Sequence, residues 1–281
     1  MELKHTARRS GRLSSFLREE LKMSAGLMNR LKWQDQLYVN GIPRHTDYAV
    51  EPGDIITVPL REETPEYPPE NGDLDILYED EYLLAVDKPA GMLIHPSRSR
   101  LTGTLANLVA GYYRSTGQQS AFHPLTRLDR DTYGIVLLAK NAHIHALLQN
   151  TPVQKTYHAL VLGRPDAETG VIDAPIARKP LPSLLRHIHP EGKPSVTEYR
   201  VLERFEGYTK LALRPVTGRT HQLRLHCAYM GFPILGDPQY GNEACMQFGL
   251  RTQCLCAKTL ELTHPITGQM LKLCSNMDAQ L

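Results

Sequence analysis

The sequence predicts an α+β protein: a larger domain on a largely antiparallel mixed sheet, preceded by a small α/β domain. Beyond Leu74, segments of strand character outnumber helical ones and often follow one another directly, which suits antiparallel pairing. Before that point two helix-like stretches come first and short strands follow them. A chain of 281 residues is long enough for two such units.

The first unit covers residues 1–60. Arg12–Leu21 places Leu13, Phe16, Leu17 and Leu21 at helical spacing. Ser24 suits the N-cap of a second helix with the stripe Leu27, Met28 and Leu31. Strands are expected at Gln36–Val39, turning at Asn40-Gly41, and at Ile55–Val58 after the Pro52-Gly53-Asp54 turn. Residues 61–73 hold Pro65, Pro68 and Pro69 among acidic side chains, lack apolar periodicity and read as a linker. Residues 74–281 read as one domain. Its expected strands are Ile76–Tyr78, Tyr82–Asp87, Gly134–Ala139, Lys155–Leu162, Thr197–Arg204, Tyr208–Pro215 and Leu255–Leu262. Its expected helices are Thr104–Tyr113, Asn141–Asn150 and Thr220–Met230.

Net charge is only +2, but its distribution is uneven. Lys4, Arg8, Arg9, Arg12, Arg18, Lys22, Arg30 and Lys32 face only Glu19 and Glu20, and the chain then turns acidic over Glu62–Glu81. A basic head on a near-neutral body suits a module that binds a polyanion, although charge alone fits a solvated helix face equally well. The five cysteines, Cys227, Cys245, Cys254, Cys256 and Cys274, form neither a disulfide framework nor a zinc spacing, and free thiols are expected. No apolar run approaches the roughly 20 residues of a spanning helix. Met1–Ser10 is polar and basic without the apolar core of a signal peptide, so a cytoplasmic protein with no membrane partner is expected.

Four blocks carry the chemistry: DILYEDEYLLAVDKPAGMLIHPS over Asp75–Ser97, PLTRLDRDTYGIVLLAK over Pro124–Lys140, KTYHALVLG over Lys155–Gly163, and LRPVTGRTHQLRLHCAYMGFPILGDPQYG over Leu213–Gly241. In content and order they resemble the signature blocks of RluA-type pseudouridine synthases from about Leu74 to Leu262. Residues 1–60 resemble the alpha-L RNA-binding motif shared with a small-subunit ribosomal protein. That likeness rests on Arg12-Leu13, Ser24, Arg30, Lys32, Val39-Asn40-Gly41 and Pro52-Gly53-Asp54, with Ala25 where the motif often has Arg. The resemblance implies an isomerase that converts uridine to pseudouridine in structured RNA. It breaks the bond from ribose to the base nitrogen, turns the base and rejoins it through carbon 5. No electrons move and no group is transferred, so no cofactor and no metal are expected. Ribosomal RNA of the large subunit is the expected partner, transfer RNA the alternative, and a monomer the expected state.

Such a reaction needs a carboxylate beneath the ribose, to attack the sugar carbon or to remove a neighbouring proton. The resemblance assigns it to Asp129, with Asp131 the competing carboxylate, and the motifs leave both roles open. It assigns Arg224 as the guanidinium partner, expected to grip Asp129 in planar bidentate fashion, with His221 on the same helical face at i, i+3. It assigns Tyr157 as the final base, which requires a phenol lowered from its usual value of about 10. Arg127 is expected to stack where the flipped base leaves its place. Arg130, Arg219, His221 and Lys88 are further candidates for the RNA groove, and Arg12, Arg30 and Lys32 for the N-terminal domain. Gly91, Gly134 and Gly218 are expected to permit tight turns near the cleft.

The chain departs from the family pattern at two places. Thr126 stands where His is usual, with a hydroxyl to replace one imidazole hydrogen bond. Tyr133 stands where Ser is frequent and is expected to add bulk near the cleft. Two rival readings compete: a catalytically silent RNA-binding or ribosome-associated factor, and a glycosidic hydrolase pairing Asp129 with Asp131, whose carboxyls would lie about 5–5.5 Å apart in a retaining enzyme. Asp129, Tyr157 and Arg224 together speak against the first, and no motif supports the second.

Overall fold

The computed structural model describes all residues except 61, 62, 64, 65, 98, 99, 181, 182 and 184. The N-terminal elements are β1 (Glu2–Thr6), β2 (Gly11–Arg12), α1 (Leu13–Glu19), α2 (Ala25–Trp33), β3 (Tyr38–Val39), β4 (Ile42–Pro43), β5 (Ala49–Val50) and β6 (Ile55–Pro59). Ser24 caps α2 by accepting from Leu27 N at 3.2 Å. Asn40 and Gly41 both take positive φ in the turn between β3 and β4. β1 joins β6, β3 and β4 in a four-stranded antiparallel sheet, a strand that the basic, polar sequence of Met1–Ser10 conceals.

Beyond residue 74 come β7 (Ile76–Glu79), β8 (Leu83–Lys88), α3 (Leu105–Ser115), β9 (His123–Pro124), β10 (Tyr133–Ala139), α4 (Ala142–Gln149), β11 (Val153–Leu162) and β12 (Thr169–Asp173). They are followed by β13 (Ile176–Arg178), β14 (Arg186–Ile188), β15 (Val196–Arg204), β16 (Tyr208–Pro215), α5 (Gln222–Tyr229), α6 (Glu243–Met246), β17 (Leu255–Thr263) and β18 (Met270–Cys274). One large sheet runs β12-β15-β16-β11-β17-β10-β8-β7, with β18 on β17 and β9 on β10. All its pairings are antiparallel except β10 with β17, so the sheet is mixed as well as mostly antiparallel. This is the α+β fold expected. The hairpin β13–β14 stands off the main sheet and, with β12 and β18, went unforeseen.

A single apolar cluster runs from the small sheet into the large one. It holds Leu3, Phe16, Leu31, Val50 and Val58 together with Leu83, Ala85, Ile135, Leu137 and Leu260. The stretch 61–73 is fastened down where it is described. Glu63 bonds His123 at 2.6 Å and the Ala142 amide at 3.0 Å, and Tyr67 stacks edge-on against Phe122. Arg61 and Pro65, on which the linker reading also rested, lie outside the described residues.

Candidate active site

Asp129 sits in the loop between β9 and β10, in a turn closed by Thr132 N on the Asp129 carbonyl at 3.2 Å. Where this loop enters β10, Gly134 lies opposite Ala257 of β17, and Ala257 in turn lies opposite Tyr157 of β11. Gly134 has φ +105°, and a Cβ there would meet the Ala257 carbonyl oxygen at 2.4 Å. Only glycine allows this close crossing, which carries the Asp129 loop toward Tyr157. β11 breaks register against β17 between Thr156 and Tyr157, a bulge of the kind that re-aims a side chain.

Arg224, on α5, is 4% exposed and Asp129 is 28% exposed. Nη1 of Arg224 donates to Oδ2 of Asp129 at 3.1 Å. The expected bidentate grip goes elsewhere: Nε and Nη2 of Arg224 donate to the two oxygens of Asp237 at 2.7 and 2.8 Å. Asp237 is completely buried, and a buried charge needs its partner in this planar geometry. Nη2 also donates to Oε1 of the Gln239 side chain at 2.9 Å, and the guanidinium lies 5.2 Å from the Tyr240 ring centre. Burial pushes the Asp237 carboxyl up, but the Arg224 hydrogen bond and charge outweigh it and hold the group below its ordinary value.

His221 precedes α5 with φ +58°, the left-handed region, and so turns its ring back toward the loop. Its Nε2 is 3.9 Å from Oδ1 of Asp129, and its Nδ1 is 2.9 Å from the Tyr240 hydroxyl. His221 and Arg224 therefore flank the same carboxylate. Burial, more than any neighbouring charge, keeps the imidazole below its usual value, which favours the neutral ring.

Tyr157 departs from expectation. Burial, and then the charge of Asp129, push its phenol above the ordinary range rather than below it. At neutral pH it is a protonated hydroxyl, a hydrogen-bond donor and not a ready base.

Lys88 also needs correction as a groove residue. Its side chain is buried, and Nζ donates to the carbonyls of Pro89, Met92 and Arg130, each at 2.9 Å. Burial pushes the ammonium down to about 8, against the charges of Asp131 and Asp129. It ties the loop beside Asp129 to the end of β8 and has no proton to offer a phosphate. Arg127, Arg130 and Arg219 are exposed. Arg127 makes no hydrogen bond or ion pair with the described residues. Arg130 folds onto Asp131 through two hydrogen bonds of 2.9 and 2.8 Å, and Arg219 Nε reaches the Pro194 carbonyl at 3.3 Å. Arg12, Arg30 and Lys32 are exposed on the N-terminal elements, Arg12 just before α1 and the other two in the last turn of α2.

The two departures point inward. Thr126 is buried and its Oγ1 accepts from Leu137 N at 3.1 Å, so it braces β10. Tyr133 sends its hydroxyl to the Asp278 carbonyl at 3.2 Å, holding the C-terminal tail rather than crowding the cleft. Gly91 does take positive φ, +82°, but Gly218 shows neither positive φ nor a close neighbour, and nothing there requires glycine. The residues missed from sequence are Asp237, Gln239 and Tyr240. All three stand in the block ending LGDPQYG, where Asp-Pro and Gly read simply as a turn.

A family model described as RNA pseudouridylate synthase matches residues 82–229. The chain is 35% identical over 291 residues to a protein of Vibrio cholerae named ribosomal large subunit pseudouridine synthase C, covering 96% of this chain and 90% of that one. It is 36% identical over 266 residues to ribosomal large subunit pseudouridine synthase D of Pasteurella multocida, covering 87% and 81%. Among solved structures, human RNA pseudouridylate synthase domain containing 1 superposes with a TM-score of 0.61 at 26% identity, covering 74% of this chain and 86% of that one.

Proposed function

The chain belongs to the RluA-type RNA pseudouridine synthases, and on that premise we propose that Asp129 is the carboxylate with which it isomerises uridines of large-subunit ribosomal RNA. The enzyme is an intramolecular isomerase. The observation that supports Asp129 is its bond to a guanidinium that is itself anchored: Arg224 holds Oδ2 at 3.1 Å while Asp237 fixes the same guanidinium from behind. Oδ1 keeps its lone pairs, and either action on the ribose, attack at the sugar carbon or removal of a neighbouring proton, uses that oxygen. A prepositioned carboxylate needs no reorganisation when charge develops on the sugar.

Arg224 acts as the positioning cation. Tyr157 serves as a neutral hydroxyl beside the carboxylate, able to donate to the base. Arg127, exposed and without a hydrogen bond or ion pair among the described residues, enters the RNA stack and offsets part of the few kcal/mol that base flipping costs. Arg130, Arg219 and His221 border the same carboxylate loop or its partner helix and bind the RNA around the target. Residues 1–60 act as the RNA-binding domain, with Arg12, Arg30 and Lys32 reading phosphate. The hydrolase reading is not favoured, because the family the chain belongs to carries out an isomerisation.

Relatives named for the large ribosomal subunit support ribosomal RNA as the substrate, with transfer RNA the alternative. The enzyme works in the cytoplasm as a monomer, and no helix among the described residues is long and apolar enough to cross a membrane. Mapping pseudouridines in cells with and without the protein tests the substrate. One or a few sites vanishing from large-subunit RNA is the expected result, and loss confined to transfer RNA would move the assignment there.

A further inference from the structure

His221 and Tyr240 form a chain of hydrogen bonds that ends beside Asp129. The Tyr240 hydroxyl oxygen accepts from the Arg186 backbone N–H of β14 at 3.0 Å, and it lies 2.9 Å from Nδ1 of His221. A phenol has one proton to give. Its oxygen already accepts from Arg186, and no other acceptor for its proton stands within hydrogen-bond distance among the described residues. Donation to Nδ1 is the arrangement that leaves no half-buried polar atom unused. Nδ1 is then an acceptor, and the ring proton must sit on Nε2.

Nε2 faces Oδ1 of Asp129 across 3.9 Å. That is too long for a direct hydrogen bond, and short enough for one oxygen set to the side to accept from Nε2–H and donate to the carboxylate. The strained left-handed backbone of His221 is what turns the ring into this position. Tyr240 is itself set by its amide on Asp237 Oδ1 at 3.1 Å and by the Arg224 guanidinium over its ring.

We propose that Tyr240 is a positioning residue for the isomerisation: its hydroxyl fixes His221 in the tautomer whose Nε2–H faces Asp129, where it holds a hydroxyl of the target ribose. The proposal rests on Asp129 being the catalytic carboxylate. The ring must be neutral to accept from Tyr240. A protonated His221 would instead pair with Asp129 and occupy the oxygen that the ribose needs. The charged groups facing the imidazole are Asp129 and Asp237, which favour its protonation, and Arg224 and Arg186, which oppose it; burial opposes it most. A hydrogen bond donated to the neutral ring opposes it as well.

The test is a cycle of Tyr240→Phe and His221→Gln, assayed on target RNA across pH. Tyr240→Phe should lower kcat about fivefold, the worth of one ordinary hydrogen bond, with KM changing less. Without the phenol the imidazole takes up a proton more readily, so the acid limb of the kcat profile should move to higher pH. Gln keeps an N–H donor that does not titrate. In the His221→Gln background the Tyr240→Phe change should therefore cost nothing further and shift no limb. A Tyr240→Phe loss of the same size in both backgrounds, or an unmoved acid limb, overturns the proposal, because the phenol would then act by folding alone. Asp129→Asn assayed alongside separates the two readings: full activity there sinks the assignment of the carboxylate itself, whatever the cycle shows.

Discussion

Arg224 spends four hydrogen bonds on three residues: two on Asp237, one on Gln239 and one on Asp129. Three of the four serve to aim the fourth. Asp237→Asn keeps the shape and removes the charge, leaving a buried guanidinium short of its partner. The variant should lose about 3–5 kcal/mol of stability at neutral pH, read from urea unfolding. Because the native carboxyl is held below its unfolded value, this contribution is complete above the ordinary carboxylate range and is lost as pH falls through the depressed value. The gap between native and variant should thus narrow toward acid pH, and a gap that stays constant would contradict the ion-pair account. This pair was not legible in the sequence, for a physical reason. Asp237 really does make a turn, its Oδ1 accepting from the amides of Gln239 and Tyr240 at 2.9 and 3.1 Å. Turn chemistry and ion pairing use the same oxygen. Lys88 misled in the opposite direction, since a cation in a motif block looks available until three carbonyls are seen to hold it.

At the scale of elements, strands with alternating or continuous apolar residues could be read directly, and β16 was found with its observed bounds, Tyr208–Pro215. So could helices with polar caps, since Ser24, Thr104 and Asn141 all cap the helices they precede. The strands missed are short or polar: β1, the two-residue β2, β4, β5 and β9, the hairpin β13–β14, the edge strand β12, and β18; β1 and β12 pair with strands well separated from them in sequence. The decisive element for the site is the crossing of β10 against β17. Gly134→Ala puts a methyl group against backbone and strains a positive φ, so it should cost about 2 kcal/mol or more and displace the Asp129 loop. Unfolding midpoint and kcat should fall together. A variant as stable and as active as the native enzyme would show that the crossing does not position the loop.

For the whole molecule, the division into a small and a large unit was legible from the order of elements, but the way they join was not. Apolar periodicity shows which face of an element is buried and says nothing of what covers it. Here Leu3, Val50 and Val58 share one cluster with Leu83, Leu137 and Leu260, and the stretch between is pinned through Glu63 and Tyr67. The N-terminal basic surface is therefore held in fixed relation to the catalytic sheet rather than carried on a loose tether. If Asp129 is the carboxylate to which this assembly presents a substrate uridine, the purified Asp129→Asn variant shows it on its target RNA. Pseudouridine formation should fall by roughly a thousandfold or more, with RNA affinity and unfolding midpoint close to native. Activity within a few-fold of the native enzyme, in a correctly folded variant, would contradict it.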